Sequence, residues 1–278
     1  MKKQIIRVLL KVLGRAGKPY LQMVGLLKTS KVFNRSALVW EPGNERVVVL
    51  APHMDDEIIG CGGTLARHVQ KGASVTVVFL TDGRYGGVVP PGASDEERKQ
   101  SEQRLVETRK TEARRSLEVL GIKDLVFMDA EDGQLAQTTG IAERLRAVLE
   151  KVNPQLVYVP FFLEGHPDHQ AVSDILMAAA DGMKADFLCV GYEVWTPLFP
   201  NCIVNIDSTF ELKRAALSKY ESQLAQADYM HTGLGLNAYR SNAFLGGTCK
   251  YAEAFNTLPL AEYLDLYRKH RGADLAPH

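Results

Sequence analysis

Cysteine is scarce in this chain. Four residues, Cys61, Cys189, Cys202 and Cys249, include no C-x-x-C pair. That spacing argues against a thiolate zinc site, and 278 residues with so few thiols do not make a disulfide scaffold. Reduced, buried thiols and a cytoplasmic location are the expectation. Long apolar runs are also lacking. Residues 5–13 (IIRVLLKVL) are too short, and too interrupted by Arg7 and Lys11, to span a bilayer. No A-x-A-like site follows them to mark a secretory signal. Acidic residues are missing from residues 1–40, which carry nine Lys or Arg. The overall net charge is zero, so the remainder holds 24 basic against 33 acidic residues, a balance of −9. An acidic body of this kind gives no footprint for nucleic acid. No internal repeat or low-complexity linker divides the chain.

Arg7, Lys11 and Arg15 recur every fourth residue, so a helix there would set a basic stripe opposite Ile5, Ile6, Leu9, Leu10, Val12 and Leu13. Three readings are open: packing on its own domain or a partner subunit, peripheral contact with an anionic membrane surface through residues 1–35, or an organellar targeting peptide. Packing is the plainest. The oligomeric state is left open. The simplest parse is a basic extension over 1–40 and one domain over 41–278.

From Arg46 onward, strands and helices alternate. Val47–Ala51 (VVVLA) is continuously apolar, the pattern of a strand buried on both faces. A helix is expected over about 58–71, ending at Gly72, and Ser74–Thr81 reads as a second strand. A Gly/Pro-rich loop covers 82–93. Ser94 and Glu97 form a capping box for a helix to Leu120. Further strands are expected at 125–128, 156–160, 187–192 and 203–206, with helices at 141–152 and 167–183. Ser208 and Glu211 read as a second capping box, for a helix to about Gln226. The stretch from Tyr229 has weak periodicity and is expected to wrap the domain. The alternation predicts an α/β fold: Rossmann-like, a mostly parallel sheet with helices on both faces, and ligands beyond the carboxyl ends of the strands.

Two clusters of chemistry-bearing residues fall at such ends. The first is His53-Met54-Asp55-Asp56-Glu57, after the strand ending at Ala51. Three successive acids repel one another and call for a compensating charge, which a divalent metal supplies. His53 and Asp56 are spaced to reach one ion across a strand-to-helix turn, with Asp55 between them facing a water on it. Acids favoured by a helix N-terminus would account for Asp56 and Glu57, but not for His53. The second cluster is Glu164-Gly165-His166-Pro167-Asp168-His169, after the strand ending at Pro160, with Pro167 suited to a first helical turn. Alone it could be a polar loop. Together the clusters indicate a metal site. His68, His231, His270 and His278 read as surface or packing residues. Gly60-Cys61-Gly62-Gly63 follows a strand, but the dinucleotide pattern fails at Leu65; these glycines are expected to let the helix approach the site closely.

Pro52-His53-Met54-Asp55-Asp56-Glu57 and His166-Pro167-Asp168-His169 resemble the A-H-P-D-D-E and H-P-D-H motifs of the PIG-L/LmbE family of N-deacetylases. Weaker similarities run from Val47 to Phe255, at Thr81-Asp82-Gly83, Arg109-x-x-Glu112, Asp132-Gly133-x-Leu135, Ser222-Gln223 and Tyr251–Phe255. The resemblance implies an LmbE-like fold and one zinc per chain, bound by His53, Asp56 and His169. It implies Asp55 as general base, His166 facing the oxyanion or serving as acid, and Asp168 orienting a histidine. Arg109 and Asp132 would help form the substrate pocket. The implied substrate is a small molecule or glycan bearing an N-acetylated amino sugar, free, conjugated or lipid-linked, with acetate released. The chain departs from the pattern at Met54, where Pro is usual, and at Glu164, where some members carry a Tyr that polarises the carbonyl. Tyr85 is a candidate to replace that Tyr.

Rival readings are hydrolysis of a different amide, a non-haem iron oxygenase using the same two histidines and carboxylate, and a silent sugar-binding module. An oxygenase needs two open metal positions and an oxidisable co-substrate. A binding module needs no base, and Asp55 is retained.

Overall fold

The computed structural model describes residues 37–88 and 91–275. The expected basic helix within residues 1–35 lies outside them. In chain order the elements are β1 (Leu38–Val39), β2 (Arg46–Ala51), α1 (Asp56–Gln70), β3 (Ser74–Thr81), α2 (Asp95–Val119), β4 (Asp124–Ala130), α3 (Ile141–Val152), β5 (Leu156–Pro160) and α4 (Pro167–Ala180). There follow β6 (Leu188–Tyr192), β7 (Cys202–Asn205), α5 (Phe210–Leu217), α6 (Glu221–Leu224), α7 (Tyr229–Leu245), β8 (Ala252–Pro259) and α8 (Leu260–Leu275).

The strands form one sheet of eight in the order β1-β7-β8-β6-β5-β2-β3-β4. Every pairing is parallel except those of β8, which runs antiparallel to both β6 and β7. The fold is thus α/β with a mostly parallel sheet. The apolar run of β2 is explained by its two faces. Val47, Val49 and Ala51 join a core under α1, α2 and α5, while Val48 and Leu50 join one under α3, α4 and α8. Burying each such side chain contributes about 1.5–3 kcal/mol, so a polar substitution on either face would be costly.

Leu38–Val39 pairs with β7 at the sheet edge. Two expectations need correction. The stretch after Tyr229 does more than wrap the domain: it supplies the helix α7, which carries His231, and the inner strand β8. The single helix expected to Gln226 is two, α5 and α6. Its N-cap is Thr209, whose hydroxyl donates to Gly63 O, and Glu211 pairs with Arg214 instead of closing a capping box. The Ser94–Glu97 box is present as expected and starts α2.

The glycines of α1 allow close packing, but against Tyr192 and Ile206 rather than against the two His/Asp clusters. A Cβ on Gly60 would stand 2.3 Å from the Tyr192 ring, and one on Gly63 2.9 Å from Ile206. A buried ion pair fastens the same helix. Lys213 Nζ donates to Glu253 Oε1 (2.6 Å) and to Ile59 O (2.8 Å), and Glu253 accepts from the Gly63 and Thr64 amides. Lys213 and Glu253 have no exposed side-chain surface, so removing the ammonium strands a carboxylate in the core. Lys213→Met is therefore expected to lower unfolding stability by about 3 kcal/mol in urea titration; a loss below about 1 kcal/mol would show that the pair contributes little.

Candidate metal centre

Both clusters lie where the parallel strands end. β2 delivers His53, Asp55 and Asp56, whose side chains turn into the start of α1. β5 leads through the loop 161–166 into α4, whose N-cap is His166 and whose first turn carries Asp168 and His169. Pro167 occupies the first turn, where no amide is needed.

Asp56 stands between two histidines. Its Oδ2 is 3.2 Å from His53 Nδ1 and 3.2 Å from His169 Nε2. Ligand atoms around a tetrahedral zinc, at bonds of about 2.0–2.1 Å, stand about 3.3 Å apart, close to these separations. His169 is fully buried, and neither of its ring nitrogens makes a hydrogen bond. A buried imidazole without partners is costly unless something such as a metal ion takes its lone pair. The donor set of two imidazoles and a carboxylate fits zinc.

His53 also takes part in a second grouping. Its Nε2 lies 3.1 Å from Asp132 Oδ1 and 3.3 Å from Asp168 Oδ2, so that His53, Asp132 and Asp168 could also surround an ion. The carboxylates on this side already have partners. Asp168 accepts from the Gly133 and Leu135 amides, and Asp132 from the Tyr85 amide. This is the pattern of carboxylates that orient a ligating histidine by accepting its far N–H. On the Asp56 side, His169 makes no hydrogen bond, and its Nε2 faces Asp56 Oδ2. His166 completes the cluster: its ring centroid lies 4.9 Å from that of His53 and 5.2 Å from that of His169. His53, His166 and His169 form a further group of possible ligands.

The charges agree with this geometry. Burial alone would raise the Asp56 carboxyl, but His169 and then His53 hold it far below the ordinary carboxylate range. Burial pushes Asp55 up to about 7, against the pull of the Arg109 guanidinium. Burial lowers His166, and the neighbouring His53 and His169 lower it further. His166 Nδ1 accepts from the Asp168 amide at 3.2 Å, so a neutral His166 carries its proton on Nε2.

The three sequence-predicted substrate residues each make contacts within the protein. Arg109 is only 2% exposed. It donates to Met54 O and Gly83 O and lies 3.4 Å from Asp55 Oδ1, so it backs the acid loop and does not line an opening. Asp132 holds His53. The Tyr85 ring is 53% exposed and its hydroxyl donates to Glu131, so it is not aimed at the histidines. Glu164, at the position of the missing Tyr, is spent on the loop after β6, where it accepts from the Val194, Trp195 and Thr196 amides.

That loop holds residues the sequence did not single out. Trp195 is 52% exposed and packs edge-on to Tyr229 at 5.5 Å. Burial, and then the charges of Asp55 and Asp56, raise the Tyr229 hydroxyl. Arg240 of α7 pins the same loop through Glu193 and Leu198 O. Nothing in the local sequence marks Trp195; the end of β6 and the return of α7 bring it against Tyr229.

Residues 48–180 match the family described as PIG-L, GlcNAc-PI de-N-acetylase, a span that contains both clusters. Over 199 residues the chain is 31% identical to the probable N-acetyl-alpha-D-glucosaminyl L-malate deacetylase 2 of Bacillus anthracis, covering 66% of this chain and 83% of that protein. The chain belongs to the PIG-L family. It is also 29% identical over 204 residues to the diacetylchitobiose deacetylase of Thermococcus kodakarensis, covering 67% of this chain and 73% of that one. The PIG-L fold is seen again in the N,N'-diacetylchitobiose deacetylase of Pyrococcus horikoshii, at a TM-score of 0.64 and 23% identity over 79% of this chain and 86% of that one.

The ligand and orienting shells make separable demands. His169→Ala is expected to purify without bound metal by elemental analysis. Asp132→Asn is expected to keep the site but weaken zinc about 10–100-fold in competition with a chelator. Undiminished zinc in both variants would contradict the arrangement.

Proposed function

We propose that this protein is a zinc-dependent hydrolase that removes the acetyl group from an N-acetylated amino sugar, with one zinc per chain. Buried His169, whose ring nitrogens make no hydrogen bond and whose Nε2 lies 3.2 Å from Asp56 Oδ2, carries this reading. Family membership supports the reaction, and the names of the relatives support the substrate class, an N-acetylglucosamine conjugate.

Zinc held by His53, Asp56 and His169 would supply a Lewis acid that activates water and polarises the acetamide carbonyl. The chain's own residues do the rest. Arg109 lies beside Asp55 Oδ1, which leaves Oδ2 to accept the proton that water gives up. A carboxyl raised by burial holds that proton and can pass it to the departing nitrogen. His166, neutral and protonated on Nε2, donates to the carbonyl oxygen as charge gathers there. That favours a hydrogen-bonding role for His166 over that of an acid. Asp132 and Asp168 keep the His53 ring fixed throughout. The C–N bond breaks, water contributes the new C–O bond, and acetate and a free amine leave. The Trp195–Tyr229 pair would offer an apolar wall to the C–H face of a sugar ring.

An iron oxygenase would need a second open metal position and a co-substrate site, and no observation favours it. The described residues include no helix long and apolar enough to cross a membrane.

Asp55→Asn is expected to retain zinc and lose acetate release by about 100-fold or more. His166→Phe is expected to lower kcat by about 100-fold with zinc kept. Both are read by acetate assay on N-acetylglucosamine conjugates. Full activity of Asp55→Asn would remove it as the base.

A further inference from the structure

Asp55 has the most strained backbone among the described residues other than glycine, with φ +143° and ψ −27°. An L side chain rarely adopts such a conformation, so surrounding contacts must impose it. Those contacts grip one peptide group from both ends. The carbonyl of Met54 accepts from Arg109 Nη2 at 2.8 Å, and the amide of Asp55 donates to Glu57 Oε2 at 3.1 Å. The orientation of this peptide plane sets φ at Asp55. The other oxygen of Glu57 accepts from the hydroxyl of Tyr220, at the start of α6. Glu57 and Tyr220 are both fully buried. Both oxygens of the buried Glu57 carboxylate are thus engaged within the protein, although Glu57 sits in the same acid run.

We propose that Glu57 and Tyr220 are positioning residues: the Tyr220 hydroxyl fixes the Glu57 carboxylate, which holds the Met54–Asp55 peptide so that the Asp55 side chain faces the reacting water. This rests on the reading of Asp55 as the base. It assigns a task to the third acid of the run and to the break between α5 and α6. A continuous helix would carry Tyr220 elsewhere; the turn at Ser218–Tyr220 delivers its ring to Glu57.

The role needs acceptors and shape, not negative charge. A glutamine at position 57 can accept the Asp55 amide with its oxygen and donate its NH2 to the Tyr220 oxygen, whereas a leucine can do neither. The test compares Glu57→Gln, Glu57→Leu and Tyr220→Phe in the full chain. It measures kcat and KM for acetate release from diacetylchitobiose, zinc per chain and the melting temperature. Glu57→Gln is expected to keep kcat within about threefold. Glu57→Leu is expected to lose about tenfold or more in kcat, with KM and zinc content little changed, because the base is displaced while the metal and substrate are not. Tyr220→Phe is expected to fall between them, and it carries the test by itself if Glu57→Leu does not fold. Three outcomes would overturn the inference: Glu57→Gln as impaired as Glu57→Leu, full kcat in Glu57→Leu or Tyr220→Phe, or zinc lost in proportion to activity. If Asp55→Asn is itself active, the reading of the base fails. If Asp55→Asn is dead while Glu57→Leu and Tyr220→Phe are normal, only the positioning role fails.

Discussion

Carboxylates taken out of water must be answered by something, and this fold gathers eight of them at the carboxyl ends of its strands. Asp55, Asp56 and Glu57 follow β2, Asp82 follows β3, Asp132 follows β4, Glu164 and Asp168 follow β5, and Glu193 follows β6; all are buried. Each of seven has an evident answer: Arg109 for Asp55, Tyr220 for Glu57, Arg84 for Asp82, His53 for Asp132 and Asp168, three backbone amides for Glu164, and Arg240 for Glu193. Asp56 faces two histidines, one of which makes no hydrogen bond. A divalent cation is the group whose charge and coordination suit that place, and the surrounding pairs hold the rim in shape around it.

Much of this was legible in the sequence because the cues were local. Apolar runs marked β2, β3 and β5; the Ser94–Glu97 box marked α2; and the two His/Asp clusters announced themselves by spacing. The resemblance to the PIG-L family rested on the same residues. What escaped was set by distant contacts. β8 reads as irregular because Glu253 and Asn256 interrupt its apolar pattern, yet both are buried, Glu253 on Lys213 and Asn256 on the Phe199 carbonyl. A charge compensated by a partner 40 residues away looks, from sequence, like a solvated one. The break before α6 has the same origin, since Tyr220 is drawn inward to an acid 163 residues earlier.

Roles within the site were harder to read than membership of it. Arg109, Asp132 and Tyr85 are all near the acid loop, but the structure turns the first toward Asp55, the second toward His53 and the third outward. A motif tells which residues gather, whereas hydrogen-bond direction tells what each does. The departure at Glu164 follows the same logic. Its carboxylate organises the loop that presents Trp195, so the position has a different structural task from the Tyr it replaces.

The central claim is that one zinc and one buried base make this chain a deacetylase of amino sugars. The most direct measurement incubates the purified chain with a panel of N-acetylhexosamine conjugates and quantifies acetate, free amine and bound metal in the same sample. The account predicts close to one zinc per chain, with acetate and amine formed in equal amounts from at least one N-acetylglucosamine conjugate. Stoichiometric zinc with no acetate from any member of the panel, or acetate released by fully metal-free protein, would contradict it.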